Sequence, residues 1–140
     1  MRARLRARGY RVLDAHDWPG NDDGTYDVVT VLNVVDRHPA PRTLLRDVGE
    51  KLAPGGRLVL AAVLPFSPYV EYDSSDHLPK ESLNISGASF EEQATSIITE
   101  VLPSLDYKVE RWTKLPYMCE GDSTQSIYWL NDALFVARKL

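Results

Sequence analysis

Only one cysteine occurs in the 140 residues, Cys119, so no internal disulfide framework is possible, and a lone thiol suits a reducing, intracellular compartment. No apolar run approaches the ~20 residues that a membrane-spanning helix needs. The longest, Leu58 to Leu64, has the length of a central strand. Positive charge is also short: 16 lysines and arginines against 20 aspartates and glutamates leave a net charge of −4, which argues against a dedicated nucleic-acid binder. His16, His38 and His77 have neither metal-ligand spacing nor cysteine partners, and no two of them form a His-x-His pair. Of eight glycines only Gly55 and Gly56 are adjacent, at the end of a helical pattern rather than its start, so no glycine-rich phosphate loop is present. What remains is ordinary: 44% apolar and 26% charged residues, without an internal repeat, describe one globular domain.

Hydrophobic period and punctuation divide the chain. Met1 to Arg8 is basic and free of acids, the tail of a helix stopped by Gly9. Tyr10 to Leu13 reads as a short strand, and Pro19 to Thr25 as a polar loop. Tyr26 to Leu32 is continuously apolar, as expected of a strand in a parallel sheet covered on both faces. Leu44, Leu45, Val48 and Leu52 form one helical stripe, ended by Ala53-Pro54-Gly55-Gly56, and Arg57 to Val63 is the next central strand. Pro65 to Ser89 reads as a long polar loop near a site. Ser89 and Glu92 have capping-box spacing, and the helical period behind them runs from Phe90 to the turn at Pro103. Lys108 to Thr113 and Tyr128 to Arg138 are the last strands, joined by a loop from Tyr117 to Gln125.

From Tyr26 onward the order is strand, helix, strand, helix, strand, strand, an α/β sheet that closes on an antiparallel pair. Asn33 and Asp36 stand at the C-terminal end of a central strand, where open α/β sheets bind ligands. The same two residues also suit a strand-end turn with helix-capping polar groups.

The antiparallel close and the Leu52-Ala53-Pro54-Gly55-Gly56-Arg57-Leu58 turn resemble the Rossmann-like class I S-adenosylmethionine methyltransferases. Three longer pieces are more specific. They are Asp27-Val28-Val29 through Leu32-Asn33-Val34-Val35-Asp36-Arg37, then Val63-Leu64-Pro65-Phe66-Ser67-Pro68-Tyr69-Val70-Glu71, then Leu115-Pro116-Tyr117-Met118-Cys119-Glu120-Gly121-Asp122 with Asp132-Ala133-Leu134-Phe135-Val136 behind it. Together they resemble the methyltransferase-like protein 9 (DREV) family of protein histidine N-pros (Nπ) methyltransferases. That resemblance implies S-adenosylmethionine as cofactor and proteins or peptides with His-x-His motifs as substrates. It implies no metal.

It also implies roles. Asp36 would accept an imidazole N–H, fixing the tautomer or removing the proton as base, and Asn33 would position cofactor or ring. Asp17 and Trp18 would meet the adenine, or else form an Asp-Trp-Pro turn over the core. Phe66 would wall the target ring or simply pack. Tyr117, Glu120, Asp122 and Tyr128 would give an acidic, aromatic substrate rim, or else a solvated hairpin loop.

The chain departs from the family pattern at its start. The first two strands and a D-x-G-x-G loop precede Met1 in that pattern, whose strand order is 3-2-1-4-5-7-6. Residues 1–140 are therefore expected to be a partial, N-terminally truncated methyltransferase domain, inactive by itself, with an unpaired edge on the Tyr26 to Leu32 strand. The alternatives are a methyltransferase acting on a small molecule and a non-catalytic interaction module.

Overall fold

The computed structural model describes residues 1–72 and 74–140. Helix α1 (Arg2–Ala7) is followed by strand β1 (Tyr26–Leu32), helix α2 (Pro41–Glu50) and strand β2 (Leu52–Val63). Helix α3 (Phe90–Ser96) widens into a π turn over Ile97–Val101 and ends in a 3-10 turn at Pro103–Leu105. Strands β3 (Tyr107–Glu120) and β4 (Ile127–Lys139) complete the chain. The sheet order is β1-β2-β4-β3, with β1 and β2 parallel and the other two pairings antiparallel. That is the 4-5-7-6 portion of the expected order.

Near the start of β2 its register with β1 shifts between Tyr26 and Val28, and this irregularity shows why the sequence there is Pro-Gly-Gly. Gly55 has a φ of +81°, a backbone region that side chains resist. A Cβ on Gly56 would lie 2.8 Å from the Tyr26 carbonyl oxygen and 2.9 Å from that of Ala53, so the strands approach too closely for any larger residue. Pro41 opens α2, and Leu44, Leu45 and Val48 turn its apolar stripe into the core. Leu52 is buried as the first residue of β2 rather than as part of that stripe. The capping box forms: the Ser89 hydroxyl accepts from the Glu92 N–H at 3.2 Å, while the Glu92 carboxylate accepts from the Ser89 N–H at 3.0 Å.

The core lies on one face of the sheet. Leu58, Leu60 and Ala62 of β2 stand opposite Ala137, Phe135 and Ala133 of β4, under Leu45, Val48, Ala94, Ile97, Val101 and Leu102. Tyr107 is fully buried, and its hydroxyl donates to the Leu45 carbonyl at 2.7 Å, tying β3 to α2. Burial holds the Tyr107 phenol far above its ordinary pKa.

Three expectations are corrected. Tyr10 to Leu13 is not a strand: among the described residues no ladder partner lies beside it, and Tyr10 is 62% exposed. The segment is held instead by ion pairs, Arg2 to Asp14 at 2.8 Å and Arg11 to Asp22 at 3.0 Å. β1 is not covered on both faces, since Val28 and Leu32 are 56% and 52% exposed while Val31 is buried. Its apolar run reflects a sheet face that nothing among the described residues covers. The segment from Tyr117 to Gln125 is not one loop, because β3 runs to Glu120 and only 121–126 connect the strands. Pairing of Leu115–Glu120 with Ile127–Asp132 carries the hairpin beyond the end of β2, and Pro116 is tolerated because β3 is an edge strand. The unpaired outer edge of β1 is as expected.

Candidate functional site

The site is built where β1 ends. The Asn33 N–H donates to the Ala61 carbonyl at 3.0 Å, the last rung toward β2, and the residue then turns left-handed at φ +54°. Asparagine tolerates that conformation better than most residues. The turn swings its carboxamide across the sheet end toward β4 and β3. There the Asn33 Nδ2 donates to Asp132 Oδ2 at 2.9 Å and to the Tyr117 hydroxyl at 3.2 Å. Asp132 stands in register with Val63 on β2 and Leu115 on β3, so the two pairings of β4 fix its place.

Asp36 follows in the turn, 9% exposed, with Oδ2 3.3 Å from the Arg37 Nε. Its carbonyl accepts from the Tyr69 N–H at 2.8 Å, which docks the long loop against this end of the sheet. Tyr69 is stacked on His77 with ring centroids 4.6 Å apart, and the Arg37 guanidinium lies 5.7 Å from the Tyr69 ring centre. A cavity of about 450 Å³ opens beside them, lined by Asp36, Val63, Pro65, Ser67, Tyr69 and Leu130.

Three buried side-chain oxygens here lack a partner among the described residues: Asn33 Oδ1, Asp36 Oδ1 and Asp132 Oδ1. Leaving a buried polar group unpaired costs about 1–3 kcal/mol. Unsatisfied buried polar groups concentrate at functional sites, which makes this sheet end the candidate site. Burial raises the Asp132 pKa, the Asn33 hydrogen bond opposes the rise, and the nearby Asp36 charge adds to it. Burial also raises the Tyr117 phenol, followed by the Asp132 charge.

The other sequence candidates are placed differently. Asp17 is exposed and Trp18 half-buried against the core, in a turn where the Asp17 carbonyl accepts from the Gly20 and Asn21 N–H groups at 3.2 Å. The preceding Ala15 and His16 line a second cavity of about 340 Å³, shared with Arg37, His38, Val70 and Tyr72. The hydrogen bonds of the Asn33 side chain reach neither Asp17 nor Trp18. Phe66 is half-buried, donates its N–H to Gln93 Oε1 at 2.7 Å, and lines a separate cavity with Val35, Pro41 and Leu83. Its neighbours Pro65 and Ser67, not Phe66, line the Asp36 cavity.

Glu120 is exposed at the end of β3. Asp122 organises the hairpin turn: Oδ1 accepts from the Thr124 N–H at 2.8 Å, the Thr124 hydroxyl at 2.6 Å and the Gln125 N–H at 3.2 Å, while Oδ2 accepts from the Tyr128 hydroxyl at 3.0 Å. Those donors, the Thr124 hydroxyl first, pull its carboxyl down to about 2. Asp122 and Tyr128 therefore serve the turn, and only Tyr117 of the rim candidates joins the Asn33 cluster. Reading the sequence for site residues passed over Asp132, Arg37 and Tyr69. The available signal was an acidic residue inside an otherwise apolar strand, Trp129-Leu130-Asn131-Asp132-Ala133-Leu134. Among the described residues no group of three His, Cys, Asp or Glu side chains is arranged to hold a metal.

Two of the solved structures that share this fold illustrate it. One was determined in work on the conversion of a disulfide bond into a thioacetal group during echinomycin biosynthesis; it superposes with a TM-score of 0.57 at 14% identity, over 99% of this chain and 60% of that one. The other is TehB from Haemophilus influenzae, with a TM-score of 0.50 at 14% identity, over 99% of this chain and 45% of that one. The chain thus spans 60% and 45% of the lengths of these two proteins, and at such identity the likeness is one of fold. The sheet is the later part of the Rossmann-like class I methyltransferase fold. The sequence match is stronger, because it covers residues 1–139, and it shows that this chain belongs to the DREV methyltransferase family.

Proposed function

We propose that this chain carries the substrate side of an S-adenosylmethionine-dependent protein histidine methyltransferase acting on the Nπ atom in His-x-His motifs. Family membership supports methyl transfer. The observation that carries the choice of acceptor is the set of unpaired buried oxygens on Asn33, Asp36 and Asp132, a cluster rich in hydrogen-bond acceptors. A neutral imidazole has one N–H and one lone pair, on opposite ring nitrogens. With its N–H on Asp36, the ring is held in the tautomer whose other nitrogen is free to react. As that nitrogen forms its bond to carbon the ring becomes cationic, and Asp36 takes up the N–H proton. The second carboxylate, Asp132, stabilises the developing charge.

S-adenosylmethionine, when bound, supplies the electrophilic methyl group and leaves as the neutral thioether. The residues that fit it are Asn33 at the strand end and the Asp17-Trp18 turn. An exposed carboxylate and a half-buried aromatic ring there suit an adenine and its amino group.

The test incubates this chain, and a version extended upstream, with S-adenosylmethionine and an acetyl-His-Ala-His-amide peptide, followed by mass spectrometry and NMR of the product. Calorimetric titration with S-adenosylhomocysteine runs beside it. Transfer of one methyl group to Nπ, reduced about 10²–10⁴-fold in kcat by Asp36→Asn, is the expected result. Cofactor binding without methylation of the peptide would overturn the histidine reading.

A further inference from the structure

A carboxamide has two chemically opposite ends, and the Asn33 site settles which one faces inward. Both protons on Nδ2 are engaged, one by Asp132 Oδ2 at 2.9 Å and one by the Tyr117 hydroxyl at 3.2 Å. Oδ1 is left buried and unpaired. The two partners do different work. A tyrosine hydroxyl both donates and accepts, so alone it would tolerate the amide in either orientation. An ionised aspartate only accepts, so it admits the NH₂ end and rejects the oxygen. Asp132 reaches Asn33 from the last strand, 99 residues away in sequence, and is only 6% exposed. Keeping such a carboxylate buried is unfavourable unless something requires it.

We infer that Asp132 is a positioning residue that locks the Asn33 carboxamide with its oxygen inward, making the pocket selective for N–H donors over acceptors. The inference rests on the histidine reading for its substrate and on geometry alone for the lock. The unpaired oxygens at this sheet end, Asn33 Oδ1, Asp36 Oδ1 and Asp132 Oδ1, are then all acceptors, and Asp36 lines the cavity itself. A ring that presents an N–H satisfies one of them; an already alkylated neutral ring, a carbonyl or a phosphate satisfies none. The same feature disfavours the finished product, since the alkylated ring has exchanged its donor for a methyl group once its proton has gone.

The experiment uses the isotopically labelled full chain, its Asp132→Asn variant and its Asp132→Leu variant. Asp132→Asn is isosteric, and whichever way the new amide turns, one N–H donor must point into the pocket. The first readout is hydrogen exchange of the Asn33 side-chain amide, which is expected to be at least about tenfold faster in Asp132→Leu, the equivalent of one net hydrogen bond. The second is NMR titration with imidazole and with 1-methylimidazole at about pH 9, where both rings are neutral. Wild type is expected to favour imidazole by about tenfold or more, and Asp132→Asn to bring the ratio near one. An unchanged ratio in Asp132→Asn, or unchanged Asn33 exchange in a folded Asp132→Leu, overturns the lock. A wild-type chain that shows no preference overturns the inference as well, whereas a wild type that prefers imidazole and loses the preference in Asp132→Asn, yet leaves the His-Ala-His peptide unmethylated, sinks the histidine reading alone. Should Asp132→Leu fail to fold, the binding ratio in Asp132→Asn decides alone.

Discussion

Asp132 is a carboxylate under opposing pressures: burial disfavours its charge, Asn33 donates to it, and Asp36 repels it. Its folded pKa lies above the ordinary 3.8. Between 3.8 and that raised value the folded chain binds more protons than the unfolded chain, so stability falls as pH rises through this window. The Asp132→Asn variant has no such group. Wild type is therefore expected to gain stability relative to Asp132→Asn as pH is lowered from neutral toward 4, read by urea melts at several pH values. Parallel pH dependence in the two proteins would show that the buried carboxylate carries no strain. Of the residues around this group, Asn33 and Asp36 stand at a strand end that the sequence makes visible, while Tyr117 is singled out only by the family resemblance. Asp132 was not, because its importance comes from cross-strand register rather than from its neighbours in the chain.

Secondary-structure elements divide by what holds them. α2, the capping box and the Pro-Gly-Gly segment depend on local chemistry; the capping box forms where the sequence puts it, while α2 ends at Glu50 and Pro-Gly-Gly falls within the start of β2 rather than at the helix end. Gly56→Ala tests that segment: its Cβ would press on backbone oxygens that cannot move aside, so a loss of about 1–3 kcal/mol is expected in urea melts. A loss under a few tenths would mean that the strands separate easily. The β3-β4 hairpin depends on pairing, so the sequence over Tyr117–Glu120 reads as loop although it is strand. Its turn has one local anchor, Asp122, which contributes stability above the ordinary carboxylate value and loses it as pH falls through about 2. Asp122→Ala is expected to speed amide exchange at Thr124 and Gln125 at neutral pH without touching the Asn33 cluster, and wild type is expected to approach that rate in strong acid. Unchanged exchange in the variant would move Asp122 from the turn to the substrate rim.

Among the described residues one sheet face is well covered, and the other is open and ends in the unpaired edge of β1. Unpaired backbone groups beside exposed Val28 and Leu32 form a template for another strand. Sedimentation at rising concentration through the micromolar range is expected to show self-association, and Thr30→Lys, a charge on that exposed face, is expected to reduce it. A chain that stays monomeric throughout would mean the edge is protected by its twist or by the α1 segment.

From Tyr26 onward the sequence by itself determined the order of strands and helices, because helix stripes and caps are short-range and each carries its own period or steric demand. It also carried the family, through stretches long enough to be specific. Tertiary structure decided three things no local pattern encodes: that Tyr10 to Leu13 finds no partner among the described residues, that none of them covers one face of β1, and that Asp132 meets Asn33. Each depends on which segments lie side by side, and pairing across 99 residues is a property of the folded sheet rather than of either segment.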